Sequence, residues 1–157
     1  MAQATIRKFY EAFARLDGAT MAACYAEDAR FEDEAFKLNG RREIGGMWTM
    51  LCDVTKAKGR DVWRLEVSQI TDTSAHWEAH YRFSATGRMV HNIIEARFSF
   101  GADGLITDHR DRFDFWRWSR QALGTPGVLL GWTPFLREKV RAQAAKNLAA
   151  FLAKSAA

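Results

Sequence analysis

Cysteine and proline are both scarce in this sequence. Its 157 residues include two cysteines, Cys24 and Cys52, and two prolines. Two isolated cysteines provide neither a disulfide framework nor a closely spaced pair of metal ligands. We therefore expect both cysteines to fill small spaces in the core.

Long hydrophobic runs and a strong charge of one sign are also missing. No apolar run approaches the roughly 18 residues that a membrane-spanning helix needs, and Met1 to Thr5 contain no apolar signal core. The net charge is +4, and basic residues alternate with acidic ones in segments such as Asp108 to Arg112. Nucleic-acid binding proteins more often carry a basic stripe interleaved with aromatic residues. We predict a cytoplasmic protein that binds neither membranes nor nucleic acids.

Aromatic residues, in contrast, are abundant, with eleven Phe, six Trp and three Tyr. Such rings can fill a core, and they can equally line an apolar pocket. The length fits one domain, and a hydrophobic content of 48% is ordinary for a globular protein. We predict a single domain over residues 1–157.

Hydrophobic periodicity predicts both helices and strands. Apolar residues spaced three and four apart indicate helices over residues 3–16, 19–25, 41–52 and 134–154. Alternation of apolar and polar residues indicates strands over residues 29–34, 61–70, 75–85, 88–100 and 105–117. The glycine-rich stretch 119–133 is predicted to be a loop. Helices first and antiparallel strands after them indicate the α+β class.

Five polar residues fall on strand faces that are otherwise apolar: Asp33, Tyr81, Asn92, His109 and Asp111. Strand side chains alternate between two faces, so each of the five is expected to point inward. Burying an unbonded amide or hydroxyl costs roughly 2–7 kcal/mol, and burying a charge costs more. The five residues therefore predict a ligand cavity with acid–base groups. The alternative is a core in which these groups only satisfy one another.

The lengths of two turns predict which inward side chains lie opposite each other. We expect a two-residue loop at Thr86-Gly87 and a four-residue loop over residues 101–104. These loops give the following opposed pairs: Tyr81 with Asn92, Ala96 with His109, and Ile94 with Asp111.

The segment His76-Trp77-Glu78-Ala79-His80 resembles a metal-binding motif only at first sight. On a strand, the two histidines would be ~13 Å apart, which is too far to bind one ion together. We predict no metal and no cofactor, and we expect His76, Glu78 and His80 on an outer face that is solvated or pairs two chains.

Several segments together resemble a known family. They are Phe9-Tyr10-Glu11-Ala12-Phe13, the stretch from Cys24 to Ala29, Phe31-Glu32-Asp33, and the stretch from Gly40 to Trp48. Over about residues 5–117 they resemble nuclear transport factor 2-like proteins, and most of all the SnoaL-like and ketosteroid-isomerase-like branch. The resemblance implies a cone-shaped, curved antiparallel or mixed sheet that wraps around N-terminal helices, followed by a C-terminal helix.

The resemblance also assigns roles to residues. Asp33 falls where the isomerases hold their general base, whereas Phe9 and Ala96 fall where they hold hydrogen-bond donors. A combination such as His109 with Asp111 is more similar to the dehydratases and cyclases of the superfamily. The expected catalytic residues are Asp33, His109 and Asp111. The expected substrate-binding residues are Tyr10, Trp48, Tyr81, Asn92 and Phe113.

Two classes of function follow from this reading. The first is cofactor-independent acid–base chemistry on a small, largely apolar carbonyl or hydroxyl compound, of isomerase, dehydratase or cyclase type. The second is a non-catalytic module of the same fold that binds a ligand or dimerises. We expect a homodimer through the outer sheet face. Beyond about residue 117, the apolar loop from Gly124 to Trp132 either caps the cavity mouth together with the last helix or forms a dimer contact.

Overall fold

The computed structural model describes residues 1–155. Within these residues, six helices span α1 Ala2–Ala14, α2 Gly18–Ala23, α3 Arg41–Lys58, α4 Phe115–Leu123, α5 Thr125–Leu130 and α6 Pro134–Ser155. Six strands span β1 Tyr25–Glu32, β2 Lys37–Asn39, β3 Arg64–Ser68, β4 Ser74–Arg82, β5 Met89–Phe100 and β6 Ile106–Arg112. The last two residues of the predicted domain lie outside the described residues. No helix within residues 1–155 is long and apolar enough to cross a membrane.

The predicted α+β architecture is confirmed. One six-stranded sheet has the order β2-β1-β6-β5-β4-β3. Its neighbours are antiparallel except for β1 and β6, which run parallel. The curved sheet packs its inward face against α1 and α3, and the apolar side chains between these layers form the main core.

Glycines allow the helices α2, α3 and α6 to pack closely. A Cβ atom on Gly45 would lie 2.7 Å from the Cβ of Ala22, and one on Gly46 would lie 2.4 Å from a methyl group of Leu152. The Gly45-Gly46 pair is therefore needed where α3 touches its neighbours, although glycine is unfavourable inside a helix. Helix α3 also continues to Lys58, beyond its predicted end at residue 52.

The predicted faces are right, but the predicted pairing is wrong by two residues. Asn92 lies opposite Ala79, while Asp111 lies opposite Ala96. The first error comes from the hairpin, since the Phe83 amide donates to the Arg88 carbonyl at 2.8 Å and leaves a four-residue loop between them. A shift of two residues keeps every side chain on its face, so the inward positions were still predicted correctly.

The second pairing error has a local cause at the other end of β5. The pairing of β5 with β6 is interrupted between Ser99 and Phe100, and Phe100 then pairs with Ile106. This irregularity also turns Ile106 inward, where it is fully buried, although simple alternation placed it outside.

The predicted strand after residue 104 is confirmed over Ile106–Arg112, but the prediction for residues 113–133 is wrong. Strand β6 ends at Arg112, and α4 and α5 occupy most of the stretch that was read as strand and loop. The Asp114 side chain accepts the Arg117 amide at 3.0 Å and so caps the start of α4. The alternation of Phe113 and Phe115 is typical of a strand, but Asp114 is a helix cap and Phe115 begins α4.

A second, smaller core lies under α4 and α6. It consists of Val90, Phe115, Trp118, Ala122 and Leu136. Tyr81 and Phe113 pack against this cluster and against the main core as well. The C-terminal segment is thus anchored on the end of β4 and β5 where Tyr81 lies.

Candidate active site

The five polar residues predicted to face inward differ in burial. His109, Asp111 and Asn92 are buried, with exposed fractions of 0%, 2% and 7%. Asp33 and Tyr81 are half-buried. All five belong to the inward side of the sheet or its edge, and they fall into two groups with different surroundings.

The first group is a chain of hydrogen bonds centred on His109. The His109 Nε2 atom is 2.8 Å from the Asp111 Oδ1 atom, and the His109 Nδ1 atom is 2.6 Å from the Tyr25 hydroxyl. The Trp48 indole N–H donates to the same Tyr25 hydroxyl at 3.0 Å. His109 and Asp111, which the sequence placed on one strand face, thus bond directly.

The donors in this chain can be assigned from its geometry. Trp48 can only donate, so the Tyr25 oxygen accepts from it and the Tyr25 O–H is free to donate to His109 Nδ1. His109 then carries its proton on Nε2 and donates to the Asp111 carboxylate. The opposite arrangement would leave the buried Tyr25 O–H without an acceptor, which costs about 1–3 kcal/mol.

Aromatic rings enclose His109. The ring of Phe98 stacks on it at 4.2 Å, and Phe31 and Phe9 meet it edge-on at 5.0 and 5.7 Å. Because both ring nitrogens are bonded and the faces are covered, His109 is placed to hold Asp111 and not to touch a ligand. The Asp111 Oδ2 atom, by contrast, has no hydrogen-bond partner within residues 1–155.

The second group contains Asp33, which follows β1. Its Oδ1 atom accepts the amides of Ala35 at 2.7 Å and Phe36 at 2.6 Å, which fixes the carboxyl group in a tight turn. Loss of solvation raises the pKa of Asp33 to about 7; the Phe36 amide opposes this rise, and the negative charge of Asp111 adds to it. A carboxyl group with such a pKa can give or take a proton near neutral pH.

Tyr81 is tied to the C-terminal segment. The Trp118 indole N–H donates to its hydroxyl at 2.8 Å. Burial raises the pKa of Tyr81 to about 12, and the charge of Asp33 contributes to the rise. Tyr81 therefore bonds to Trp118 and not to Asn92, and the Asn92 amide makes no side-chain hydrogen bond within residues 1–155.

Two buried donors lack a partner within the described chain. They are the Tyr10 hydroxyl and the Trp77 indole N–H, and their rings lie 6.0 Å apart. Burial, followed by the negative charge of Asp111, raises the pKa of Tyr10 well above its usual value, so the hydroxyl keeps its proton. Unpaired buried donors are rare in folded proteins, so each one requires an explanation.

Alanines lie on the sheet between these donors and Asp111. Across β4, β5 and β6, Ala75 lies opposite Ala96, which lies opposite Asp111. Trp77 is the next inward residue after Ala75 on its strand. Two alanines therefore lie along the sheet between Asp111 and Trp77.

The other predicted binding residues divide by role. Trp48 is buried and supports Tyr25, so its polar atom is already used. Phe113 is half-buried and bridges the two cores. Sequence reasoning missed Tyr25, because it stood at the end of a predicted helix instead of at the start of β1. It also read Trp77 only as an apolar core residue and placed Trp118 next to a predicted loop.

The outer sheet face carries the remaining histidines. Glu78 bonds to His76 at 2.9 Å and to His91 at 2.7 Å, and His76 also bonds to Glu95. No group of three or more His, Cys, Asp or Glu residues within residues 1–155 is arranged to hold a metal ion. Two open surface depressions, one beside Arg41 and Arg42 and the other beside Phe135, include none of the predicted site residues.

Comparisons with known proteins identify the family. The model of the SnoaL-like domain matches residues 6–109. The chain belongs to the SnoaL-like domain family. The nuclear transport factor 2-like fold predicted from the sequence is thereby confirmed, and the matched segment contains Tyr10, Asp33, Trp48, Tyr81, Asn92 and His109.

Solved structures support the same fold. A candidate polyketide cyclase from Xanthomonas campestris pv. campestris is 22% identical, with a TM-score of 0.58 over 76% of this chain and 95% of that one. An LEH-like epoxide hydrolase of M. tuberculosis is 17% identical, with a TM-score of 0.60 over 82% and 92%.

A third structure is a ketosteroid isomerase-like protein from Catenulispora acidiphila in complex with trimethylamine. It is 18% identical, with a TM-score of 0.58 over 83% of this chain and 97% of that one. No curated protein matches the SnoaL-like chain. At these identities the likeness establishes the fold alone, which is the isomerase- and cyclase-type fold.

Proposed function

We propose that this SnoaL-like protein binds a small, largely apolar compound with a carbonyl or hydroxyl group and performs cofactor-independent acid–base chemistry on it. The observation that carries the proposal is the arrangement around Asp111. A buried carboxylate with one free oxygen lies on the same interior as two buried donors that lack partners. Such a set can bind an oxygen atom of a substrate and remove a proton beside it.

Asp111 is the proposed base. The His109 N–H fixes its Oδ1 atom, and the Tyr25 hydroxyl fixes His109 in turn. The free Oδ2 atom would accept a proton from the carbon next to the substrate carbonyl. His109 is then a positioning residue, which differs from the role of proton-transferring residue that the sequence suggested for it.

Tyr10 and Trp77 are the proposed ligands of the substrate oxygen. Removal of a proton beside a carbonyl leaves an enolate, and two N–H or O–H donors stabilise its negative charge. Both atoms are inaccessible to water in the structure, so binding requires that neighbouring aromatic side chains move. Asn92, whose amide is also without a side-chain partner within residues 1–155, would contact the apolar compound farther along β5.

Asp33 is the proposed acid. Its pKa of about 7 means that it holds a proton through slightly acidic pH, while the charge of Asp111 disfavours its ionisation. It would return a proton to carbon in an isomerisation, or to a departing hydroxyl that leaves as water in a dehydration. A carboxyl group that keeps its proton near neutral pH is suited to the role of acid.

Replacement of each carboxyl group tests the proposal. Asp111→Asn and Asp33→Asn should each lower turnover of a reactive carbonyl compound by about a hundredfold or more. Asp108→Asn is the matched control, because Asp108 lies on the same strand but on the outer face, where it pairs with Arg30 at 2.9 Å. Equal activity of all three variants would exclude acid–base catalysis by these groups.

The alternative function is ligand binding without chemistry. It would be recognised by a compound that raises the melting temperature of the protein without being converted. If the compound still raises the melting temperature of the Asp111→Asn and Asp33→Asn variants, ligand binding without chemistry is favoured over the enzyme.

We also propose that the outer sheet face forms a homodimer. Ile93 is 38% exposed and Met89 is 50% exposed, and both point outward from β5. An apolar contact of this kind would be lost in Ile93→Glu. Light scattering should give the mass of a dimer for the unchanged protein and of a monomer for the variant, whereas a monomer in both cases would contradict the proposal.

A further inference from the structure

Large apolar side chains lie exposed on the C-terminal segment, beyond residues 6–109 that match the family model. They form what we call the α5 patch, and their exposed fractions range from 41% to 67%. The patch consists of Trp116, Val128, Leu129, Leu130, Trp132 and Phe135. Single exposed apolar residues are ordinary, but six within twenty positions mark a binding surface.

The patch is held outward by its glycines. A Cβ atom on Gly127 would lie 1.9 Å from the Ser119 carbonyl oxygen, and one on Gly131 would lie 2.0 Å from the Ser119 hydroxyl. The small residues of α5 therefore face α4, and the large ones face away from the protein. This is the reverse of an ordinary amphipathic helix, which turns its large apolar residues inward.

Hydrogen bonds fix this arrangement. The Trp116 indole N–H donates to the Val128 carbonyl at 3.2 Å, and the Trp132 indole N–H donates to the Leu129 carbonyl at 3.1 Å. The exposed side chains thus stand on a defined backbone.

The segment that carries the α5 patch is positively charged, and two of its basic side chains lie over aromatic rings of the patch. Residues 115–155 contain seven Lys or Arg residues and one acidic residue, Glu138, whereas residues 1–114 contain more acidic than basic residues. The Arg120 guanidinium lies 4.9 Å from the Trp116 ring centre, and the Lys139 ammonium lies 5.9 Å from that of Phe135. Basic side chains around apolar and aromatic ones complement a surface that is negative outside and apolar beneath.

We propose that the α5 patch docks on the surface of a membrane that contains anionic lipids. Val128, Leu129 and Leu130 would enter the boundary between headgroups and acyl chains, with the aromatic rings at the headgroup level. The basic side chains would bind the lipid phosphates. This protein would lie on the membrane without crossing it, in agreement with its helices. The proposal revises the expectation, based on the absence of a spanning segment, that the protein binds no membrane.

Two other occupants fit less well. A second copy of this chain, docked through its own α5 patch, would bring the basic side chains of the two copies together, and their repulsion is unfavourable. A single-stranded nucleic acid would match the charge and the aromatic rings, but the aliphatic side chains of α5 offer its bases no stacking surface.

Vesicle co-sedimentation tests the proposal. The full protein is mixed with vesicles of phosphatidylcholine alone or of phosphatidylcholine with phosphatidylglycerol. We expect binding to the anionic vesicles, weaker binding at high salt, and a loss of about tenfold or more in the double variant Leu129→Ser, Trp132→Ser.

The matched control removes exposed apolar surface elsewhere. Leu51 and Val54 on α3 are 38% and 37% exposed, and the double variant Leu51→Ser, Val54→Ser should bind like the unchanged protein. Circular dichroism of both double variants confirms that they fold.

Three outcomes would overturn the proposal. The first is no binding to anionic vesicles, or equal binding by all variants. The second is a dimer in light scattering that dissociates only when the α5 patch is changed, since the patch would then be an interface between copies. The third is binding of a single-stranded oligonucleotide that is lost in the same variant while vesicle binding is not seen.

Discussion

The two faces of the sheet hold the same chemical pair in opposite surroundings. On the inward face, His109 and Asp111 meet at 2.8 Å with side chains that are 0% and 2% exposed. On the outer face, His76 and Glu78 meet at 2.9 Å with side chains that are 17% and 28% exposed. Distance alone therefore does not distinguish them.

Solvent decides what each pair contributes. Water screens the outer pair and solvates either partner when the other is removed, so an exposed ion pair contributes roughly 0–1 kcal/mol. Water cannot replace His109 beside the buried Asp111 carboxylate, so removing His109 leaves a charge in a low-dielectric interior. The inner network is thus costly to break and rigid, which is what a positioned catalytic carboxylate requires. Substitutions in the two networks can separate these effects.

The largest effect is expected at the centre of the inner network. His109→Leu should lower the free energy of unfolding by about 3–5 kcal/mol, because it leaves the buried Asp111 carboxylate without a partner. Urea denaturation measures the change. A loss below that of the outer-face variants would mean that Asp111 is solvated and the inner network is not closed.

Removal of one hydroxyl from the same network should cost less. Tyr25→Phe deletes the group that accepts from Trp48 and bonds to His109, and we expect a loss of about 1–3 kcal/mol. Turnover should fall as well, through a lower kcat at similar KM, because Asp111 would be less well held. An unchanged kcat would separate the network from catalysis and leave it a structural role.

Asp33 should make stability depend on pH. Its pKa is about 7 in the folded protein and near the ordinary aspartate value of 3.8 in the unfolded chain, so between those values the folded state binds more protons. Stability attributable to Asp33 is therefore complete below pH about 4 and is lost as pH rises toward 7, by on the order of 4 kcal/mol.

Asp33→Asn should flatten this part of the stability profile. Asp28→Asn is its control, because Asp28 is an exposed aspartate of β1. Thermal unfolding of the three proteins over this pH range makes the comparison, and parallel profiles would contradict the raised pKa.

The smallest effect is expected on the outer face. Hydrogen bonds from His76 to Glu78, and then to Glu95, raise the pKa of His76. Its contribution is present below the unfolded pKa of about 6.5 and is lost as pH rises through the folded value. His76→Gln should change the free energy of unfolding by less than about 1 kcal/mol. The measurement is made at concentrations where the protein is a monomer, and a loss as large as that of His109→Leu would then contradict the screening of the outer pair by water.

The inward face could be read from the sequence because strand alternation has a fixed period. Asn92, His109 and Asp111 are buried as expected, since a side chain keeps its face whatever the pairing. The pairing itself depends on turn length and on the irregularity at Ser99, and alternation contains no information on either. The segment resemblance supplied the fold, which periodicity alone left at the level of α+β.

The hydrogen-bond network was less predictable. Tyr25 and Trp48 come from different elements, and only the packed structure shows that they meet at His109. Residues 113–117 were predicted as strand because the alternation of apolar residues continues to Phe115. The side chain of Asp114 caps a helix there instead. The lack of partners at Tyr10 and Trp77 is likewise a property of packing, which no local pattern records.

A crystal structure with a bound small carbonyl compound would test the central claim most directly. We predict the carbonyl oxygen within hydrogen-bond distance of the Tyr10 hydroxyl and the Trp77 indole N–H, with the neighbouring carbon facing Asp111 Oδ2. A compound found only in the depressions beside Arg41 or Phe135, over an unchanged and fully packed interior, would contradict it.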